Sequence, residues 1–332
     1  MTKKGTYRIT SAEGIDEKIY VDINGQKQYV FLRGKDIHNP VILYLHGGPG
    51  SPDSYFTYDF AREICGEFTF VCWDQRGCGR TYIKNRKIDS KNKTVNFEQA
   101  IEDTDALVSY LCRRFQKDRI IIIGHSYGTV LGVNYVLKHP EKVESYIGIG
   151  QHVSNKEAQE RNYNEIIQKM SGDSKKNDII ESAYQKLKDN YDLENFMRFQ
   201  QKAMPCLHSN LPETKQKSQW KLLVESPDFS YADLRWLIGM LNVKGYFRKH
   251  KELLNYMFFQ DVRDAGIHFS VPIFLISGEY DKVCRVDLTE EYFETIQAPD
   301  KKLVLIKLCG HSPQMDDPAT VAKEIKDLLA AE

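Results

Sequence analysis

Apolar positions along this chain follow two rhythms. Val41–Leu45, Phe68–Trp73, Ile120–Ile123, Val143–Ile149, Val271–Ile276 and Lys302–Leu308 are short, largely apolar runs. A strand buried on both faces of a parallel sheet reads this way, because neither face meets water. Between these runs the apolar residues recur at helical spacing. Phe97 to Phe115 places Ile101, Leu107, Val108, Leu111 and Phe115 on one face, with Asn96 as N-cap and Gln99 three residues on. Gly128 to His139 reads as a helix that stops before Pro140, and Thr320 to Ala331 as one that follows Pro318. Residues 1–40 read as strands, and Asn24-Gly25 joins two extended runs between Glu17 and Arg33. That dipeptide suits a type I′ hairpin, in which both turn positions need positive φ.

Strands alternating with helices predict an α/β fold, a mostly parallel sheet covered by helices on both faces. The alternation stops near residue 150 and resumes near 271. The stretch between is polar and helix-like, with Leu234, Leu237, Ile238 and Leu241 at helical spacing in Ala232–Asn242 and a second helical pattern over Asn195–Ala203. The expected division is therefore a first part of the core at 1–150, an inserted helical lid at 151–266 and a second part of the core at 267–332. A separate functional domain is the alternative for the insertion, but its place beside the carboxyl ends of the strands favours a lid.

Composition narrows the function classes. Forty-six basic residues balance forty-six acidic ones over 332 residues, so nothing draws the chain to nucleic acid or to an anionic membrane. No apolar stretch approaches the roughly 20 residues of a membrane-spanning helix. Met1–Arg8 carries basic residues with no apolar run behind them, unlike a secretory leader. The seven cysteines are odd in number and contain no CxxC, so free thiols and a cytoplasmic location are expected. The expected partner is a small substrate; the oligomeric state is left open.

The chemistry is concentrated in four loops. Gly124-His125-Ser126-Tyr127-Gly128 lies directly between the Ile120–Ile123 strand and a helical pattern. So tight a strand-to-helix turn needs small flanking residues, and it exposes the serine at the sheet edge beside a helix N-terminus. His46-Gly47-Gly48-Pro49-Gly50 follows the Val41–Leu45 strand. Acyl transfer passes through an oxyanion that needs two convergent N–H donors. One is expected from Tyr127, the residue after the serine. The other is expected from Gly48, with Gly47 second, since Pro49 has no N–H.

A serine hydroxyl needs a base, and the base an orienting carboxylate. In this elbow architecture the order is serine, acid, histidine. Asp281, in Ser277–Asp281 after the Val271–Ile276 strand, and His311, in Cys309–Pro313 after the last strand, meet that order. Glu279 is the alternative acid and His268 the reserve base. His125 reads as a loop-ordering residue. No H-E-x-x-H and no Gly-rich phosphate loop ending in Gly-Lys-Ser/Thr occurs, so neither a metal nor a cofactor is expected. A serine in place of aspartate argues against dehalogenase or epoxide-hydrolase chemistry.

With these loops in place the chain resembles the proline iminopeptidase family of α/β-hydrolases, from about residue 20 to the C-terminus. His46–Gly50, Gly278–Asp281 and Gly310–Ser312 correspond to its oxyanion, acid and base loops. Asp74-Gln75-Arg76-Gly77-Cys78-Gly79-Arg80-Thr81 matches its D-Q-R-G-C-G-R-S signature with Thr at the last position. In this signature Asp74 and Arg76 are expected to hold the oxyanion loop through a buried ion pair or backbone hydrogen bonds. The resemblance implies release of an N-terminal residue, often proline, with acidic groups holding the substrate ammonium. Glu157, Glu160 and Glu252 in the lid are the candidates for that task. Two departures bear on the substrate: Lys282 follows Asp281 where some relatives have glutamate, and the elbow is Gly-His-Ser-Tyr-Gly where many have Gly-Gly-Ser-Trp-Gly. A carboxylesterase or amidase of small acyl substrates is the alternative reading.

Overall fold

A computed structural model describes residues 8–169, 174–209 and 211–330. The first seven residues, read above with the strand region, lie outside the described residues. One eight-stranded sheet organises the chain: β1 (Ile15–Ile23), β2 (Gln26–Gly34), β3 (Val41–Leu45), β4 (Thr69–Trp73), β5 (Ile120–His125), β6 (Val143–Ile149), β7 (Ile273–Gly278) and β8 (Lys301–Ile306). Their spatial order is β1-β2-β4-β3-β5-β6-β7-β8. β1 and β2 form a hairpin closed by Asn24 and Gly25, at φ 44° and 78°, the two positive values a type I′ turn requires. β2 runs antiparallel to β4, and every later pairing is parallel.

The apolar runs are buried on both faces because alternate residues feed two cores. Val41, Leu43 and Leu45 of β3 join Ile120, Ile122 and Leu275 in one cluster with the helices Phe97–Phe115 and Tyr127–Lys138. Ile42 and Tyr44 join Ile121, Ile123 and Phe274 in the other, with the helices Tyr58–Ile64 and Pro318–Ala330. Consecutive connections from β3 thus pass to opposite faces, and the strand order reverses at β3. The carboxyl ends of β3 and β5 bound the crevice this leaves, the usual ligand position in an open α/β sheet.

Several strand boundaries shift by one or two residues from the expectation, and two of the shifts have a local cause. β7 begins at Ile273 rather than Val271, since Pro272 has no N–H for a ladder, although its carbonyl accepts from Tyr146 N at 3.0 Å. β8 ends at Ile306, short of Leu308, whose φ of 61° leaves the extended region. As an edge strand, β8 is also only partly buried.

Between β6 and β7 the described residues form eight helices, from Asn155–Lys169 to Val262–Ala265. Ion pairs fasten this segment to the core. Arg80 takes both oxygens of Asp233 at 2.8 and 2.5 Å and the carbonyl of Asp228 at 2.6 Å, with Asp233 wholly buried. Arg33 pairs with Asp228 at 3.3 Å. Among the described residues no helix is long and apolar enough to cross a membrane, and all seven cysteines are free thiols.

Candidate active site

The turn after β5 holds Ser126 at φ 54° and ψ −121°. This strained backbone is tolerated because both flanks are glycine. A Cβ on Gly124 would lie 2.5 Å from the Gly128 carbonyl oxygen, and one on Gly128 would lie 2.0 Å from that of Leu45. Ser126 N donates to Ile149 O at 3.1 Å, tying the turn to β6. Tyr127 opens the helix Tyr127–Lys138, so its N–H has no intrahelical acceptor.

The glycine loop after β3 approaches the serine closely. A Cβ on Gly47 would stand 3.0 Å from Ser126 Cβ, which leaves the approach to bare backbone. Gly48 has φ +113°, which L side chains rarely adopt, and a Cβ there would meet the amides of Gly50 and Ser51. Gln75 holds this loop: its amide donates to His46 Nε2 at 3.2 Å and its side chain donates to His46 O at 3.2 Å. His46 Nδ1 is then the protonated nitrogen and donates to Gly47 O at 2.9 Å. Burial lowers the His46 pKa, which keeps the ring neutral.

The roles expected of the Asp74–Thr81 signature are therefore redistributed. Arg76 does not reach the loop. Its guanidinium pairs with Asp103 at 2.6 Å and donates to the hairpin carbonyl of Asn24 at 3.0 Å. Burying the charge demands that partner, and Asp103, wholly buried on the helix Phe97–Phe115, supplies it. Asp74 accepts from Arg80 N at 2.8 Å and from Ser54 Oγ at 3.0 Å. Burial pushes its carboxyl up to about 7.

At the end of β7, Asp281 is 2% exposed. Its Oδ1 accepts from the amides of Val283 at 2.8 Å and Cys284 at 2.9 Å, and its Oδ2 lies 2.8 Å from His311 Nδ1. An ionised carboxylate only accepts, so Nδ1 carries the proton and the neutral ring keeps Nε2 as its acceptor. Burial opposes a charge on His311, but the Asp281 carboxylate and its hydrogen bond outweigh it and raise the pKa above the ordinary value. The Cys284 sulfur lies beside this pair, within 4.8 Å of the ligand atoms of Asp281 and His311. His125 Nε2 lies 3.0 Å from His311 O. His125, the neighbour of Ser126 in the elbow, thus ties the Asp281–His311 pair to this turn, and Gly47 approaches Ser126 from the other loop.

The competing residues lie elsewhere. Glu279 is exposed and accepts from Leu308 N at 3.1 Å. His268 is exposed and precedes β7, at the strand's amino end. Asp281, Cys284 and His311 carry ligand atoms a soft divalent ion could use, but both oxygens of the carboxylate are already engaged with His311 and two amides.

Of the three acidic candidates for the ammonium, Glu160 and Glu252 are exposed, since each falls on the solvent side of its helix. Glu157 is half-buried and ion-paired with Arg263. Lys282 turns to Glu165, at 2.9 Å, which also takes Arg285 at 2.8 Å. Sequence reasoning missed Glu165 and Cys284; no local pattern marks either. It also passed over His152, a buried imidazole with both nitrogens unpartnered, whose pKa burial lowers to about 4.

Residues 40–318 match the family model described as alpha/beta hydrolase fold. A relative from Bacillus subtilis strain 168, named probable aminopeptidase YbaC, is 26% identical over 92% of this chain and 93% of its own length. A proline iminopeptidase of Thermoplasma volcanium is 22% identical over 90% of this chain and 91% of its own. Among solved structures, the proline iminopeptidase of Mycobacterium smegmatis superposes with a TM-score of 0.66 at 16% identity, over 95% of this chain and all of that one.

Proposed function

We propose that this chain, which belongs to the alpha/beta hydrolase fold family, is a serine aminopeptidase that releases an N-terminal proline or another small residue from short peptides. The observation that carries the serine mechanism is the Asp281–His311 pair, joined through His125 to the elbow of Ser126. The aminopeptidase reading draws on the names of the relatives that match over nine-tenths of the chain.

In this reading Ser126 Oγ attacks the scissile carbonyl while His311 Nε2 takes its proton. Asp281 holds the ring and stabilises the imidazolium that forms. The oxyanion is met by the Tyr127 amide and by that of Gly48 or Gly47, aimed before the charge develops and so needing little reorganisation. His311 returns the proton to the leaving amine, and the C–N bond breaks to leave an acyl-enzyme. Water, deprotonated by the same histidine, then hydrolyses the ester. The helical segment serves as a lid, and Glu157, the least exposed of the three acidic candidates, meets the substrate ammonium by exchanging its ion pair with Arg263.

A carboxylesterase or amidase would use the same machinery without an ammonium site. Prolyl and alanyl amides, their N-acetyl forms and simple acyl esters separate the two. Loss of a charged hydrogen-bond partner costs about 1.5–3 kcal/mol, so acetylation should lower kcat/KM roughly 10- to 150-fold. Similar rates for free and blocked amines would leave the esterase reading in its place.

A further inference from the structure

A cavity of about 330 Å³ lies between the helix Gly79–Asn85 and the helices Tyr231–Met240 and Val243–Lys249. Arg86, Arg235, Arg248 and Lys249 line it, no acidic side chain does, and neither Ser126 nor His311 contributes to its wall. Other arginines near this segment find carboxylates: Arg80 takes Asp233, and Arg263 takes Asp261 and Glu157. Among the described residues Arg86, Arg235 and Arg248 have no acidic partner. The Lys249 ammonium sits over the Tyr82 ring, 4.1 Å from its centroid, and adds a fourth positive charge.

A second observation concerns a neutral group. Trp236, on the wall of the same cavity, is 5% exposed, and its indole N–H has no hydrogen-bond partner. Buried donors in native folds are nearly always met, so the acceptor is to be sought in a ligand. Arg86, Arg235 and Arg248 are exposed, so their guanidinium groups are free to turn, beside the buried donor, to an anion rich in acceptor oxygens. Phosphate fits better than a single carboxylate, because it offers more acceptors and up to two charges to planar, multiply donating side chains.

We propose that this cavity binds a phosphate group, carried by a small molecule or by a phospholipid headgroup, at a site separate from Ser126. Leu234, Ile238 and Leu241, 43%, 59% and 79% exposed on the same stretch of chain as Arg235, are available to the acyl chains of a lipid. Binding of inorganic pyrophosphate by the full chain is measured by calorimetry at constant ionic strength, and binding to phosphatidylglycerol-containing vesicles by co-sedimentation. Saturable binding of pyrophosphate alone identifies a soluble phosphate ligand; binding only to the vesicles identifies the headgroup. In either arm Arg235→Gln with Arg248→Gln should weaken binding about tenfold or more, the scale of lost charge-assisted hydrogen bonds. Neither arginine has an ion pair to lose, so the thermal midpoint without ligand should not move. Trp236→Phe keeps the ring, deletes the N–H and should weaken binding several-fold, which decides the matter if the double variant misfolds. No saturable binding of either probe at millimolar concentration, or equal affinity in the variants, overturns the proposal.

Discussion

His311 Nδ1 lies 2.8 Å from Asp281 Oδ2, and the other oxygen of that carboxylate is held by two backbone amides. The acid is therefore fixed before the histidine is added to it, and its replacement should disorder the base rather than the fold. Asp281→Asn should lower kcat about 10⁴-fold, as expected when the tautomer is wrong, with an unchanged circular dichroism spectrum. Glu279→Gln should retain near-normal turnover, because Glu279 serves only the Leu308 amide among the described backbone groups near it. The opposite pattern would make Glu279 the acid.

Ser126→Ala should fold normally and lose at least about a thousandfold in turnover. A serine-directed phosphonate should label Ser126 in the native protein. Mass spectrometry that finds the adduct on another serine would remove Ser126 from the mechanism.

Because the His311 pKa stands above its ordinary value of 6.5, and the base acts when neutral, kcat/KM should rise with pH through a midpoint above 6.5. Removing the carboxylate charge in Asp281→Asn should move the residual activity's midpoint downward. The linked stability has the opposite trend. The imidazolium–carboxylate pair contributes fully below the unfolded histidine pKa, and its contribution is lost as pH rises through the raised folded value. A flat rate profile between about pH 5 and 8 would exclude histidine as the base.

Burial alone would raise the Glu165 pKa, but hydrogen bonds from Lys169, Lys282 and Arg285 lower it to about 2, so it stays ionised throughout the working range. Glu165→Gln leaves Lys282, next in the chain to Asp281, without its carboxylate, while Arg285 keeps Asp287 at 2.9 Å. An added charge in a partly solvated site costs about 1 kcal/mol, so KM for free-amine substrates should rise about fivefold while N-acetyl substrates are spared. Equal effects on both would show that Glu165 acts only by holding the loop.

The Arg80–Asp233 pair should dominate attachment of the helical segment, being 6% and 0% exposed at its two side chains. Arg80→Ala strands a buried carboxylate and should cost about 3–5 kcal/mol in urea unfolding. Removing Asp233 as well should cost much less than the sum of the single losses. Additive effects would show that the pair is not a unit.

The sequence alone determined those features whose physics is local. Apolar runs marked β3 to β7 because a strand buried on both faces has no polar side to show. Asn24-Gly25 marked its turn because few dipeptides accept two positive φ values. The spacing of Gly124, Ser126 and Gly128 marked the elbow because any larger flank collides with Leu45 or with the turn itself. Only the tertiary structure decided how groups distant in sequence use each other. Arg76 was expected at the glycine loop but found a carboxylate on Asp103, while Gln75 took the loop through His46. Glu160 and Glu252 were chosen by composition and face water, whereas Glu165, which composition does not distinguish, neutralises Lys282. A buried charge chooses its partner by distance and desolvation in three dimensions, and residue type and order carry neither.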